Sequence, residues 1–217
     1  MSTNADGYRD AEVAGSYESV RASKAAWQRE QSVVEEVLRD EVTDVRTCLD
    51  VPTGTGRFLP VYGSLGWEVT AMDISSAMLD ESRAKAASVG LDATFREGSV
   101  FELPFDDGSF DLVVCYRLLN WFNRRDTNRA LAELARVSRR WIVVSERHQL
   151  IAPRAAASAV KSTIMRFRGQ RASYGYPEVL FTRQFDRLGL TVRRRDVVGN
   201  HPNVMEHITW LLSVPGA

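Results

Sequence analysis

Cysteine is nearly absent from this sequence: Cys48 and Cys115 are the only two among 217 residues. That excludes a disulfide-stapled scaffold, and a cysteine metal site would need more ligands at short spacing than the chain has. Each cysteine sits in an apolar run, Val45-Arg46-Thr47-Cys48-Leu49 and Leu112-Val113-Val114-Cys115. Both read as buried free thiols behaving as small hydrophobes, and a reducing, cytoplasmic compartment is expected. Net charge is missing too, since 28 basic residues balance 28 acidic ones, which removes any overall bias toward nucleic acid or an anionic membrane. No apolar run approaches the ~18 residues of a membrane span. The first thirty residues are too polar for a signal peptide. Repeats and low-complexity tracts are lacking as well, so one domain is expected.

What is present is ordinary for a globular chain, with 44% hydrophobic and 26% charged residues. A chain of this length buries about 70% of its unfolded surface and needs no metal to fold. Residues 11–38 place Val13, Tyr17, Val20, Ala26, Trp27, Val33, Val34 and Val37 at mostly helical spacing. Strands are expected at 46–51, 68–73, 93–97, 110–115, 141–145, 190–198 and 205–213. Helices are expected near 57–65, 75–88, 126–138, 155–168 and 182–188, with Ser75 or Ser76 as an N-cap and Gly90 as a stop. Strands alternating with helices predict an α/β fold: a doubly wound, mostly parallel seven-stranded sheet with helices on both faces and antiparallel pairing at one edge.

In such a sheet ligands bind beyond the carboxyl ends of the strands, where the strand order reverses. The first strand runs into Asp50-Val51-Pro52-Thr53-Gly54-Thr55-Gly56-Arg57-Phe58. Its glycines allow a tight turn and close approach of a ligand to the backbone. A dinucleotide fingerprint needs glycine at the first, third and sixth loop positions, and counting from Gly54 the sixth is Leu59. The loop is therefore poorly suited to a pyrophosphate. Asp73, at the end of the second strand, can accept hydrogen bonds from both hydroxyls of a ribose.

Asp50–Gly56 resembles the first motif of class I S-adenosylmethionine-dependent methyltransferases, an acid followed by alternating glycines. Val69-Thr70-Ala71-Met72-Asp73-Ile74-Ser75-Ser76-Ala77-Met78-Leu79 is similar to the family's second motif. Gly98-Ser99-Val100-Phe101-Glu102-Leu103-Pro104-Phe105 resembles its adenine-contacting segment, and Asp107-Gly108-Ser109-Phe110-Asp111-Leu112-Val113 the run into strand four. Ala132-Glu133-Leu134-Ala135-Arg136-Val137-Ser138-Arg139-Arg140 looks like the helix before strand five. These stretches follow the family's order and spacing over residues 46–146. Two positions depart from it. Pro52 replaces the usual first glycine, which removes an N–H and fixes φ near ~−65°. Ser99 replaces a common aspartate and is a weaker acceptor.

The resemblance implies S-adenosylmethionine as cofactor, with Asp50, Pro52, Thr53, Gly54 and Gly56 around its methionine end. Asp73 and Ile74 would hold the ribose, and Met78, Gly98, Ser99 and Val100 the adenine. Met78 reads equally as helix core, and a brace for the loop is a further reading of Asp50. Tyr116 would face cofactor and acceptor, with Asn120 a further acceptor contact. Tyr8, Tyr17 and Arg21 would close over the cofactor. His148, just past strand five, is the candidate general base for an O or N nucleophile of a small-molecule acceptor, against a plain solvent-exposed histidine. His201 and His207 are weaker candidates. Glu146 reads as a surface acid, or else as a partner for a substrate hydroxyl or His148. On this reading residues 1–40 form a helical cap, 41–146 the cofactor-binding core, 147–180 an acceptor-site insertion, and 181–217 a closing helix and strand pair. Within 147–171, Arg147, Arg154, Lys161, Arg166, Arg168 and Arg171 stand without an acid. That charge fits an anionic or amphipathic acceptor, or simply a solvated helix face. No metal, nucleic acid or membrane span is expected, and the protein would be a monomer or homodimer. A non-catalytic cofactor-binding subunit and a methyltransferase acting on a macromolecule are the rival functions.

Overall fold

The structure, a computed structural model, describes residues 25–149, 176–201 and 205–215. Seven strands form one sheet: β1 (Thr47–Asp50), β2 (Glu68–Asp73), β3 (Ala93–Glu97), β4 (Phe110–Cys115), β5 (Ser138–Gln149), β6 (Thr191–His201) and β7 (Met205–Ser213). Their order is β3-β2-β1-β4-β5-β7-β6. The first five pair in parallel, and β7 runs antiparallel between β5 and β6. This is the expected doubly wound sheet, with its antiparallel pairing confined to one side.

The helices are α1 (Ala25–Glu36, continuing into a π turn over Val37–Glu41), α2 (Leu59–Ser64), α3 (Ser76–Ser88), α4 (Arg124–Val137) and α5 (Glu178–Arg187). Every residue of β4 is buried, because helices cover both faces of the sheet centre. Val113 and Cys115 point into a core with Leu131, Leu134 and Phe185. Leu112 and Val114 point into a second core with Val34, Leu59 and Tyr62. Both cysteines are buried and free.

Several boundaries differ from the sequence expectation for local reasons. Asn123 caps α4, its Oδ1 accepting from the Asp126 N–H at 3.0 Å, so the helix starts at Arg124. Helix α5 starts at Glu178, directly after Pro177, not near 182. Strand β5 runs from Ser138 to Gln149 because β7 pairs along it as far as Gln149 opposite Met205. His148 therefore lies within that strand, not beyond it. The helix expected at 155–168 lies outside the described residues, as does the basic stretch beyond Arg147.

At the amino end of the sheet Asp111 acts as a clamp. Its Oδ2 accepts from the backbone N–H groups of Arg46 and Thr47 at 3.0 Å each, and its Oδ1 from Arg139 at 2.6 Å. The run into strand four thus fixes β1, β4 and β5 far from the opposite, ligand-facing end.

Candidate active site

Strand order reverses between β1 and β4, so the chain leaves the sheet in opposite directions there and opens a crevice at the carboxyl ends. The loop after β1 is fastened to both neighbours. Val51 N donates to Val114 O and Thr53 N to Met72 O, each at 2.9 Å, and Gly54 N donates to Asp73 Oδ2 at 2.9 Å. The Val51–Pro52 peptide is cis. Gly54 and Gly56 have φ of 56° and 77°, the left-handed region that favours glycine. A Cβ on Gly56 would lie 2.7 Å from Leu59 Cδ1 and 2.9 Å from Ser82 Oγ, so this glycine lets the loop pack on α2 and α3. Nothing lies within 4 Å of the same position on Gly54.

Over this loop lies a cavity of about 190 Å³. Of the residues expected at the site, Pro52, Thr53, Gly54, Asp73 and Ile74 line it, joined by Met78, Gly98, Ser99, Val100 and Tyr116. Asp50 and Gly56 stand behind the loop and not on the cavity wall. Tyr8, Tyr17 and Arg21 lie outside the described residues, as does the side chain of His148. Asp73 Oδ1 accepts from Ser75 N at 3.0 Å and Oδ2 from Gly54 N, and with the Ile74 N–H close by the carboxylate still keeps acceptor capacity. Burial pushes the Asp73 carboxyl above its ordinary range, and the N–H groups of Ser75, Gly54 and Ile74 pull it back. Met78 is both core and cavity wall, being buried and lining. Ser99 Oγ accepts from Phe101 N at 3.3 Å and keeps its O–H to donate.

Asp50 is fully buried, and its Oδ2 has no hydrogen-bond partner among the described residues. Burial pushes its carboxyl up to about 8, Asp73 adds to the rise, and the Thr53 hydroxyl holds it back. Tyr116 reaches the cavity, but its hydroxyl is engaged with Thr209 Oγ1 at 2.9 Å. Asn120 is buried away from the cavity wall. Glu146 is not a surface acid. It is 1% exposed and accepts from Trp210 Nε1 at 3.1 Å, and burial pushes its carboxyl well up. It faces the core because it shares one face of β5 with Ile142 and Val144.

A charged cluster at the site escaped the sequence reading. Trp27 on α1 lines the cavity with Arg57 and Arg117, and Glu30 lies one helical turn beyond it. The Arg57 guanidinium lies 3.6 Å from the Trp27 ring centroid. Arg57 donates to Glu30 Oε2 at 3.2 Å, to Gln31 Oε1 at 2.7 Å and to the Trp27 carbonyl. Arg117 Nη2 donates to Glu30 Oε1 at 3.1 Å. His207 Nδ1 stands 3.5 Å from the same oxygen. Trp27, Glu30 and Gln31 share one helix face, which was the available signal; the arginines that meet them are 27 and 87 residues from Glu30.

Residues 48–140 match the family of sequences described as a methyltransferase domain. Over 94 residues it is 38% identical to a demethylmenaquinone methyltransferase of Deinococcus radiodurans, a stretch that makes up 42% of this chain. The chain spans 38% of that relative's own length, and a similar share of the other curated relatives at this level of similarity. The fold of this chain is found in the crystal structure of a magnesium protoporphyrin IX methyltransferase from Synechocystis PCC 6803 with S-adenosylhomocysteine bound. That likeness has a TM-score of 0.74 at 18% identity and covers 97% of each chain. A [4+2]-cyclase has the same fold, with a TM-score of 0.74 at 16% identity over 95% of this chain and 94% of its own. Among the described residues, no helix is long and apolar enough to cross a membrane.

Proposed function

We propose that this chain transfers the methyl group of S-adenosylmethionine to an O or N nucleophile of a small-molecule acceptor. The carrying observation is the Asp73 carboxylate at the end of β2, held by the Gly54 and Ser75 N–H groups beside the open backbone of Gly54. Its remaining acceptor capacity suits the two hydroxyls of a ribose. Ile74, Met78 and Val100 offer apolar walls for an adenine, and the Ser99 hydroxyl a polar edge. When bound, the cofactor supplies an electrophilic methyl group on a sulfonium.

Alignment and exclusion of water are what these residues contribute, and proximity alone is worth about 7–11 kcal/mol when geometry is right. Trp27, Phe58, Tyr116, Leu118, Trp121 and Phe122 enclose the end of the cavity near β4 in apolar surface. Asp73 is the one acid on the wall among the described residues, where histidine, cysteine and lysine are all lacking. The nucleophile is therefore either ionised before it binds or relieved of its proton by a group beyond that wall. His148, at the carboxyl end of β5, is the candidate for the second role. Two of the similar proteins carry names that specify ring-shaped acceptors, a demethylmenaquinone and a magnesium protoporphyrin, which supports a cyclic acceptor here.

The test is incubation with S-adenosylmethionine and a panel of phenols, hydroquinones and aromatic amines, reading S-adenosylhomocysteine release and product mass. A product heavier by one methyl group is expected. A second reading, cofactor binding without methyl transfer, is favoured by the occurrence of this fold in a [4+2]-cyclase and by the lack of a base on the described wall. Tight S-adenosylhomocysteine binding with no turnover on any acceptor would select it.

A further inference from the structure

The cavity is chemically lopsided. Its single described acid, Asp73, lies at the β2 end, while both of its arginines lie at the β4 end. There Arg57 and Arg117 share one carboxylate, Glu30, which is 2% exposed. Two guanidinium groups against one carboxylate leave a positive charge at a half-buried wall, where an unbalanced cation is costly and an added anion favourable.

The two arginines differ in what they have left to give. Arg57 has an 8% exposed side chain, and all three of its nitrogens are committed, to Glu30, Gln31 and the Trp27 carbonyl. Arg117 is 26% exposed, reaches Glu30 through Nη2 alone, and its Nε is buried without a hydrogen-bond partner among the described residues. Its backbone sits at φ 58°, a left-handed conformation that is unfavourable for a non-glycine residue. The Arg117 N–H donates to Ser145 Oγ at 2.7 Å, which holds it there. Strain of this kind persists where surrounding structure fixes a side chain in a working position. The same cavity wall is apolar and aromatic, with the Phe101 and Phe122 rings 4.7 Å apart and inclined at 45°, and with Leu118 and Trp121 also lining it.

Resting on the methyltransferase reading above, we propose that the β4 end of the cavity is an acceptor subsite for a flat apolar molecule bearing a carboxylate, with Arg117 receiving the carboxylate. The aromatic wall takes the ring and Glu30 keeps the guanidinium in place. Arg57, stacked on Trp27, completes the charge on the far side of Glu30.

Two isosteric probes test this on the full chain saturated with S-adenosylhomocysteine: 2-naphthoate and its neutral amide, 2-naphthamide, titrated calorimetrically. The naphthoate is expected to bind about tenfold tighter than the amide, the size of one charge-assisted contact. Arg117→Gln should bring that ratio to about one while S-adenosylhomocysteine affinity stays within about twofold, and Arg117→Lys should restore part of the preference. Equal affinity of the two probes for the wild type, or a preference that survives Arg117→Gln, would overturn the proposal. So would an Arg117→Gln protein that loses S-adenosylhomocysteine but keeps 5′-methylthioadenosine, which lacks the carboxylate, because the anion would then be the cofactor's. Failure of the wild type to bind S-adenosylhomocysteine at all would instead strike the methyltransferase reading.

Discussion

Asp50 shows how a single buried group links the binding loop to pH. Its carboxyl ionises near ~3.9 when the chain is unfolded and is pushed up to about 8 in the fold, mainly by burial. Between those values the folded protein holds a proton that the unfolded chain has released, so stability falls as pH rises through this window. The slope from one such group is at most about 1.4 kcal/mol per pH unit. Asp50→Asn removes this contribution. Raising the pH from 6 to 8 should lower the melting temperature of the wild type more than that of the variant, by about 4 °C or more. Parallel losses in both proteins would show that Asp50 does not carry the charge burial assigned to it. Asp50 was legible as a motif acid with bracing the loop as one of its two readings, but the choice between them was not, because only the packed neighbours decide which way a strand-end side chain faces.

At the scale of elements, the connection between β3 and β4 carries Ser99 and Val100 and is clasped by α4. Glu133 Oε2 accepts from Leu103 N at 3.0 Å, and Arg136 donates to the carbonyls of Leu103 and Phe105 at 3.0 and 2.7 Å. Arg136 hydrogen bonds hold the Glu133 carboxyl below its usual range, so the clasp stays ionised at neutral pH. Arg136→Ala should lower the melting temperature by about 2–6 °C. It should also weaken S-adenosylhomocysteine about threefold or more, measured by calorimetry, because the segment proposed to flank the adenine loses its anchor. Unchanged affinity with lowered stability would mean that the clasp serves the fold alone. Helices α3 and α4 were readable because their caps and apolar faces are local. The full length of β5 was not, since it depends on β7, which lies some sixty residues further along the chain.

For the whole molecule, the strand order β3-β2-β1-β4-β5-β7-β6 places Gly54, Asp73 and Ser99 around one crevice. These residues were found from sequence because each belongs to a short motif at a strand end. The β4 end of the cavity was not, because it is assembled from α1, the start of α2 and the turn after β4. Trp27, Arg57 and Arg117 carry no motif and meet only in three dimensions. That division follows the chemistry: residues expected to touch the cofactor sit in local turns, while those expected to meet the acceptor depend on how distant elements pack.

The central claim is that Asp73 and its loop bind S-adenosylmethionine, and it is tested most directly by titrating S-adenosylhomocysteine into the wild type and into Asp73→Asn, which keeps the shape of the side chain. Binding in the micromolar range by the wild type, weakened about tenfold or more in a variant that still melts cooperatively, is the predicted result. No binding by the wild type, or undiminished binding by a folded Asp73→Asn protein, would contradict it.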